Sequence, residues 1–217
     1  MMTKVHPNSA VPSPELPRLA TCCYGADSSA AGRKESAAVL TVWRKSLLFS
    51  CNGFTVFDAE GNLAFRVDVY GSGTPEDLVL MDAAGKPLLT VRRKVHLRVA
   101  PFLSLGEKWL IYGGEDAVNP IYVVKRHVAL LRSKATAAIA RVAQCRGGGP
   151  GYEVEGSYSR RSCTVYDEGR LVAAEVRPKE AVGGVAFGGD VFRLVVHSDL
   201  NACLAMGILI TLDQMFR

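Results

Sequence analysis

The sequence lacks the residue patterns of several common site types, and these absences narrow the classes of function. Its six cysteines include no CxxC pair, and no histidine stands at metal-ligand spacing from one of them, so no metal site is expected. No run of about 20 apolar residues is present, which predicts no transmembrane span. Residues 1–17 hold four prolines and no apolar signal segment. We therefore expect an intracellular, reducing location, which is cytoplasmic, peripheral at the plasma membrane, or nuclear.

The sequence contains parts of several enzyme motifs, and each of these motifs is incomplete. The glycine-rich segment 147–151 has no following Lys-Ser/Thr of a phosphate loop, and the Gly-Ser-Gly of 71–73 lacks the third glycine of a dinucleotide fingerprint. The His-Ser-Asp of 197–199 has triad residue types as chain neighbours, whereas triad members meet in space; a strand end beside a helix cap explains them. Cys163 lies in an apolar strand, which favours a buried structural thiol over a nucleophile. We predict no enzymatic activity and no cofactor.

Turn residues and alternating apolar residues predict a β domain behind a tail. Residues 1–37 hold many Ser, Ala and Pro without a sustained period, so we predict a flexible tail, with a single domain over 38–217. In that domain, apolar alternation is broken by an acidic turn starting at Asp58, Asp82 and Asp167. In such a turn the Asp side chain bonds the backbone two residues on, and a following glycine accepts positive φ. A calcium loop would need a longer run of acidic ligands.

Further strand candidates bring the count to about ten to twelve, which is typical of a β-sandwich or barrel. They are 39–43, 108–112, 121–127, 135–142, 152–157 and 191–196.

The last segment is apolar on every side and predicts a helix over 199–215, capped by Ser198 or Asp199. It is too short to cross a bilayer, so the interior of a barrel is the expected place to bury it. The predicted fold is mainly β: a closed, mostly antiparallel barrel of about twelve strands enclosing a hydrophobic C-terminal helix. Such a barrel has little axial room for a ligand, and a rim Arg or Lys is expected beside Asp213. The cysteines, apart from Cys22 and Cys23, are expected to be small buried side chains.

Several stretches, in order, resemble the plant LURP-one-related family. They are 42–46 (VWRKS), 54–67, 89–94 (LTVRRK), 156–163 (GSYSRRSC), 165–167 (VYD) and 205–217. The resemblance covers about 39 to the C-terminus and implies a twelve-stranded barrel around a helix, like tubby C-terminal domains and phospholipid scramblases. It also implies a non-enzymatic protein linked to plant defence or signalling.

Basic clusters are the candidate binding residues, although solvated outer faces of the barrel would give the same pattern. They are Arg92, Lys94, Arg98, Lys125, Arg126, Arg160 and Arg161. From neighbouring strands such cations suit an anionic phospholipid head group, and the likeness to tubby domains points toward phosphoinositides. The alternative is a protein-interaction scaffold or a membrane-tethered transcriptional regulator. The net charge of +5 without a recognised motif does not predict nucleic-acid binding. Cys22 and Cys23 are candidate palmitoylation sites.

Overall fold

The computed structural model describes residues 37–45, 53–70, 77–94, 108–115, 118–127, 138–146, 148–181, 183, 187–197 and 199–216. Within these residues, twelve strands form one closed barrel in which every neighbouring pair is antiparallel. Each strand pairs with the next one along the chain, and the first strand closes the barrel against the last. The predicted barrel is confirmed, and its pairing is antiparallel throughout. The predicted tail, 1–37, lies outside the described residues except for its final position.

Strands and helix have the following bounds. They are β1 Ala38–Trp43, β2 Gly53–Phe57, β3 Leu63–Tyr70, β4 Asp77–Asp82, β5 Pro87–Lys94, β6 Lys108–Gly113, β7 Pro120–Arg126, β8 Ala138–Gln144, β9 Tyr152–Ser157, β10 Ser162–Tyr166, β11 Val172–Pro178, β12 Val191–Val196 and α1 Ala202–Phe216.

The three acidic turns form hairpins with one shared geometry. The side-chain oxygens of Asp58, Asp82 and Asp167 each accept a hydrogen bond from the backbone N–H four residues on, at 2.7–2.8 Å. The predicted hydrogen bond to the backbone two residues after the Asp is therefore wrong. The turn is two residues longer, so the bonded N–H lies four residues after the Asp. The third residue after each Asp has positive φ. In the last turn that residue is Arg170, since glycine falls one position too early there.

Helix α1 fills the barrel. Every residue from Ala202 to Asp213 is buried, and the apolar residues of the strands surround it in one continuous core. Gly207 lets the helix approach β5 and β6, because a Cβ there would lie 3.3 Å from Leu89 Cδ1 and 3.4 Å from Ile111 Cδ1. The helix thus occupies the axis where a ligand would otherwise bind.

The helix begins later than predicted, and its cap differs. The Asn201 side-chain oxygen accepts a hydrogen bond from the Cys203 N–H at 2.8 Å, which is the bond that an N-cap residue makes. Asp199 is exposed and lies within a turn in which the Leu200 N–H donates to the His197 carbonyl oxygen, while Ser198 lies outside the described residues. The extra turn therefore moves the cap from the predicted 198–199 to Asn201.

The cysteines only partly match the prediction. Cys163 is buried as expected, whereas Cys145 is exposed. Cys203 is disulfide-bonded, and its partner lies outside the described residues. The prediction of small buried side chains is therefore wrong for Cys145; Cys203 is buried as predicted but is also disulfide-bonded, and Cys51 lies outside the described residues.

Replacing Gly156 by Ala is expected to lower the free energy of unfolding by about 2–4 kcal/mol. Gly156 has φ +102°, and a Cβ would collide with the backbone carbonyl oxygen of Ser162. Gly61 is a matched control, since it has φ +87° but no atom within 4 Å of the added Cβ; Gly61→Ala should cost only about 1 kcal/mol. Urea unfolding measures both. Equal losses at the two sites would contradict the role assigned to the collision.

Candidate functional site

One end of the barrel gathers cationic side chains, and we call it the basic rim. It is the end at which α1 terminates, as shown by Arg126, the last residue of β7, whose guanidinium lies 4.9 Å from the Phe216 ring centroid. Because the strands are antiparallel, β1, β5 and β7 end at this rim and β6 begins there. Residues distant in the chain therefore meet at one edge of the barrel.

A buried cluster fixes the helix end to the rim. Asp213, 1% exposed, lies 3.0 Å from Arg44 Nε, and the Tyr158 hydroxyl donates a hydrogen bond to it at 3.1 Å. Burial, followed by the nearby Asp213 charge, raises the pKa of Tyr158, so the phenol stays protonated and remains a donor. The predicted rim cation beside Asp213 is thus Arg44. This cluster joins the end of α1 to the residues that follow β1 and β9.

Two of the predicted binding arginines are occupied by structural contacts. The Asp77 carboxylate accepts two hydrogen bonds from Arg92, at 2.7 and 2.5 Å. The hydrogen bond with Asp77 is the main reason that the pKa of Arg92 is raised. Arg161 is buried, with its guanidinium 4.4 and 4.3 Å from the ring centroids of Tyr158 and Phe192. Both guanidiniums are thus already engaged within the protein, Arg161 in a buried position and Arg92 in a partly exposed one.

Three lysines form a continuous row on the outer surface of the rim. Lys94 pairs in register with Lys108, and Lys108 pairs with Lys125. Their chain neighbours Trp109 and Val124 are buried in the core, so the lysines on the alternate positions point outward. Among the described residues, none of the three has a carboxylate within ion-pair distance. We call these residues the lysine row.

Of the other predicted site residues, Arg126 and Arg160 are described by the structure and both lie at the basic rim. Arg126 is exposed on the rim against Phe216. Arg160 is exposed in the turn between β9 and β10, which reaches the same rim at another side. Arg98, Cys22 and Cys23 lie outside the described residues, so their roles stay predictions.

Sequence reasoning missed Lys108 and Arg141, which extend the basic line across β6 and β8. Lys125 pairs in register with Arg141, but the Arg141 guanidinium lies 3.0 Å from Glu153 and is therefore neutralised. Lys108 stands alone in the sequence, between Glu107 and Trp109. Only the strand register brings it between two other lysines, and no local signal would have shown it.

The opposite end of the barrel has the opposite charge. Its turns carry mainly acidic residues in the described part of the chain, namely Asp58, Glu60, Asp82, Glu115, Asp167, Glu168 and Asp199 against Lys86, Arg146 and Arg170. The molecule therefore has a charge asymmetry along the barrel axis. An anionic surface would attract the rim and repel the acidic end.

A cleft of about 350 Å³ lies at the acidic end, between the last part of β8, the start of β9 and the turn after β10. Its charged groups pair with one another: Arg170 contacts Glu153 at 3.1 Å and Glu155 at 2.8 Å, and Glu168 accepts a hydrogen bond from the Gly151 N–H. Because these charged groups already pair with one another, we do not take this cleft as a candidate anion site.

Three observations on the described residues concern a reactive thiol, metal ligands and membrane-spanning helices. Burial raises the pKa of the Cys163 thiol to about 11, so it is protonated and unreactive at neutral pH. No group of three or more metal-ligating side chains occurs among the residues described. Of the helical segments in the described chain, none has the length and apolar character needed to cross a bilayer.

Comparison with known proteins agrees with the barrel and extends over most of the chain. A family model described as LURP-one-related matches residues 38–213. Protein LURP-one-related 8 of Arabidopsis thaliana is 44% identical over 219 aligned residues, covering 100% of this chain and 99% of that protein. Protein LURP-one-related 5 of the same organism is 41% identical, with 82% of each chain covered.

A solved structure shares the fold. The X-ray structure of a protein from Arabidopsis thaliana superimposes with a TM-score of 0.58 at 22% identity, covering 83% of this chain and 92% of that chain. This structure shows the fold, whereas the sequence matches, which extend from the first strand into the helix, show the family. The chain belongs to the LURP-one-related family.

Proposed function

We propose that this domain is a non-enzymatic module that binds anionic phospholipid head groups at a membrane surface through its basic rim. The observation that carries the proposal is the lysine row, in which Lys94, Lys108 and Lys125 stand side by side on three adjacent strands. From the family resemblance alone, we extend the proposal to a tubby-like role in plant defence or signalling.

Cross-strand electrostatics support a binding role for the row. Like charges placed directly opposite each other on neighbouring strands destabilise a sheet, so the row does not serve the fold. Adjacent strands lie about 4.8 Å apart, which brings three ammonium groups within reach of one cluster of phosphates. Lysine heads on flexible stems suit mobile head groups better than a fixed bidentate arginine does.

The expected strength is moderate and depends on salt. Each lysine close to an anionic bilayer contributes about 1 kcal/mol, so the row supplies about 3 kcal/mol, or roughly a hundredfold in partitioning. Arg126 and Arg160 add charge around the same rim. Because these groups are exposed, salt should weaken binding.

The double variant Lys94→Gln, Lys125→Gln is expected to lose roughly tenfold or more in binding to anionic vesicles. Flotation with phosphatidylcholine vesicles, with and without phosphatidylserine or a phosphoinositide, measures the loss. The fold should be unharmed or slightly more stable in urea, since like-charge repulsion is relieved.

The matched control is Lys86→Gln, Arg146→Gln, which removes the same net charge from the acidic end. It should bind about as tightly as the unmodified chain. Equal losses in the two double variants would mean that overall charge acts rather than the row. Equal flotation on neutral and anionic vesicles would reject lipid head-group recognition and leave the scaffold role as the alternative.

A further inference from the structure

A second feature of the rim lies across the barrel from the lysine row. Trp43 and Phe187 are each 39% exposed, so both rings present apolar surface to the solvent. A lysine ammonium lies beside each ring: Lys45 Nζ is 5.4 Å from the Trp43 ring centroid, and Lys179 Nζ is 5.5 Å from the Phe187 ring centroid. Two exposed rings are thus each paired with a cation.

Strand pairing brings these two rings to the same part of the surface. Trp43 is the last residue of β1 and pairs in register with Val191, the first residue of β12. The Lys179 ammonium, which lies beside the Phe187 ring, donates a hydrogen bond to Thr41 Oγ1 on β1 at 3.3 Å. The rings therefore stand at the basic rim, where β1 ends.

This aromatic pair and the lysine row occupy opposite sides of one rim. In the twelve-stranded order, β1 is six strands from β7, which carries Lys125. A barrel of twelve strands has a radius of roughly 12 Å, so the two features lie on the order of 20 Å apart. A flat surface touching the side of the barrel would reach one of them, whereas a flat surface across its end reaches both.

We infer that Trp43 and Phe187 form an apolar anchor that enters the interfacial layer of an anionic bilayer, with the barrel standing on its basic rim. This inference rests on the lipid binding proposed above and adds the orientation of the bound domain. Aromatic rings favour the interface between head groups and acyl chains, while lysines beside them keep their charge at the phosphates. The acidic turns at the other end point away from the membrane, as charge complementarity requires.

Tryptophan fluorescence of the full chain tests the anchor directly. The sequence has two tryptophans, and Trp109 is buried in the core, so a change on vesicle binding reports on Trp43. Vesicles of phosphatidylcholine and phosphatidylserine should shift the emission to shorter wavelength and reduce quenching by aqueous iodide several-fold. Lipids brominated near the head group should quench it. An unchanged spectrum on bound vesicles overturns the anchor.

Substitution gives an independent readout. Trp43→Ala should weaken vesicle partitioning roughly tenfold, whereas Ile121→Ala should leave it unchanged, because Ile121 is 37% exposed at the opposite end. If Trp43→Ala binds normally while Lys94→Gln, Lys125→Gln does not, the anchor is wrong and head-group binding stands. If neither loses binding, the proposed function itself fails. A blue shift that follows protein concentration without vesicles would assign the patch to a second copy and overturn the anchor.

Discussion

Replacing Met206 by Asp is expected to remove the cooperative fold altogether. Met206 has 0% exposure in the middle of α1, and the neighbouring helix residues on every side are buried by the barrel. A carboxylate there would lose its hydration among the apolar side chains of the core, which costs more than about 5 kcal/mol. That is comparable to the whole stability of a domain of this size, about 5–15 kcal/mol. Soluble yield and far-UV circular dichroism measure the outcome.

The matched control for this prediction is Met206→Leu. Leucine has a similar volume and no charge, so the cost should stay below about 1.5 kcal/mol. A folded Met206→Asp protein with an unfolding transition close to that of Met206→Leu would show that the helix does not fill the barrel.

Asp213→Ala is expected to lower the free energy of unfolding by about 3 kcal/mol. The change leaves the Tyr158 hydroxyl and the Arg44 guanidinium without the buried carboxylate that they share. The cost falls at the lower end of the range for buried pairs, since Arg44 retains partial contact with water. Urea unfolding, monitored by circular dichroism, measures the difference.

Asp190 provides a matched control on the same arginine. Its carboxylate lies 3.7 Å from Arg44 Nη1 and is 70% exposed, so Asp190→Ala should cost no more than about 1 kcal/mol. If the two substitutions cost the same, burial of Asp213 does not govern the stability of the rim. A smaller loss for Asp213→Asn than for Asp213→Ala is also expected, because an amide oxygen still accepts from Tyr158.

The barrel could be predicted because its signals are local. Apolar alternation gives the strands, and an Asp followed by a left-handed residue gives the hairpins at Asp58 and Asp82. The helix could be placed by its length and its uniform apolar surface alone. The wrong predictions concern local detail: the helix cap is Asn201, and Arg170 takes the left-handed position in place of a glycine.

The candidate site could be predicted only in part, because it depends on register. Arg92 and Lys94 look equivalent in the sequence, yet Asp77 on the neighbouring strand pairs with Arg92 alone. Arg161 looks like a surface cation next to Arg160, but the turn directs it between two rings. Lys108 joined the site only through strand pairing. These are contacts between positions far apart in the chain.

Hydrogen–deuterium exchange of the full chain, with and without vesicles containing phosphatidylserine, tests the orientation most directly. Binding should slow exchange at the rim, in 41–45, 92–94, 108–110 and 158–162. The acidic turns 58–62, 82–86 and 167–171 should exchange at unchanged rates. Protection at those acidic turns, or no protection at the rim on vesicles that retain the protein, would contradict docking through the basic rim.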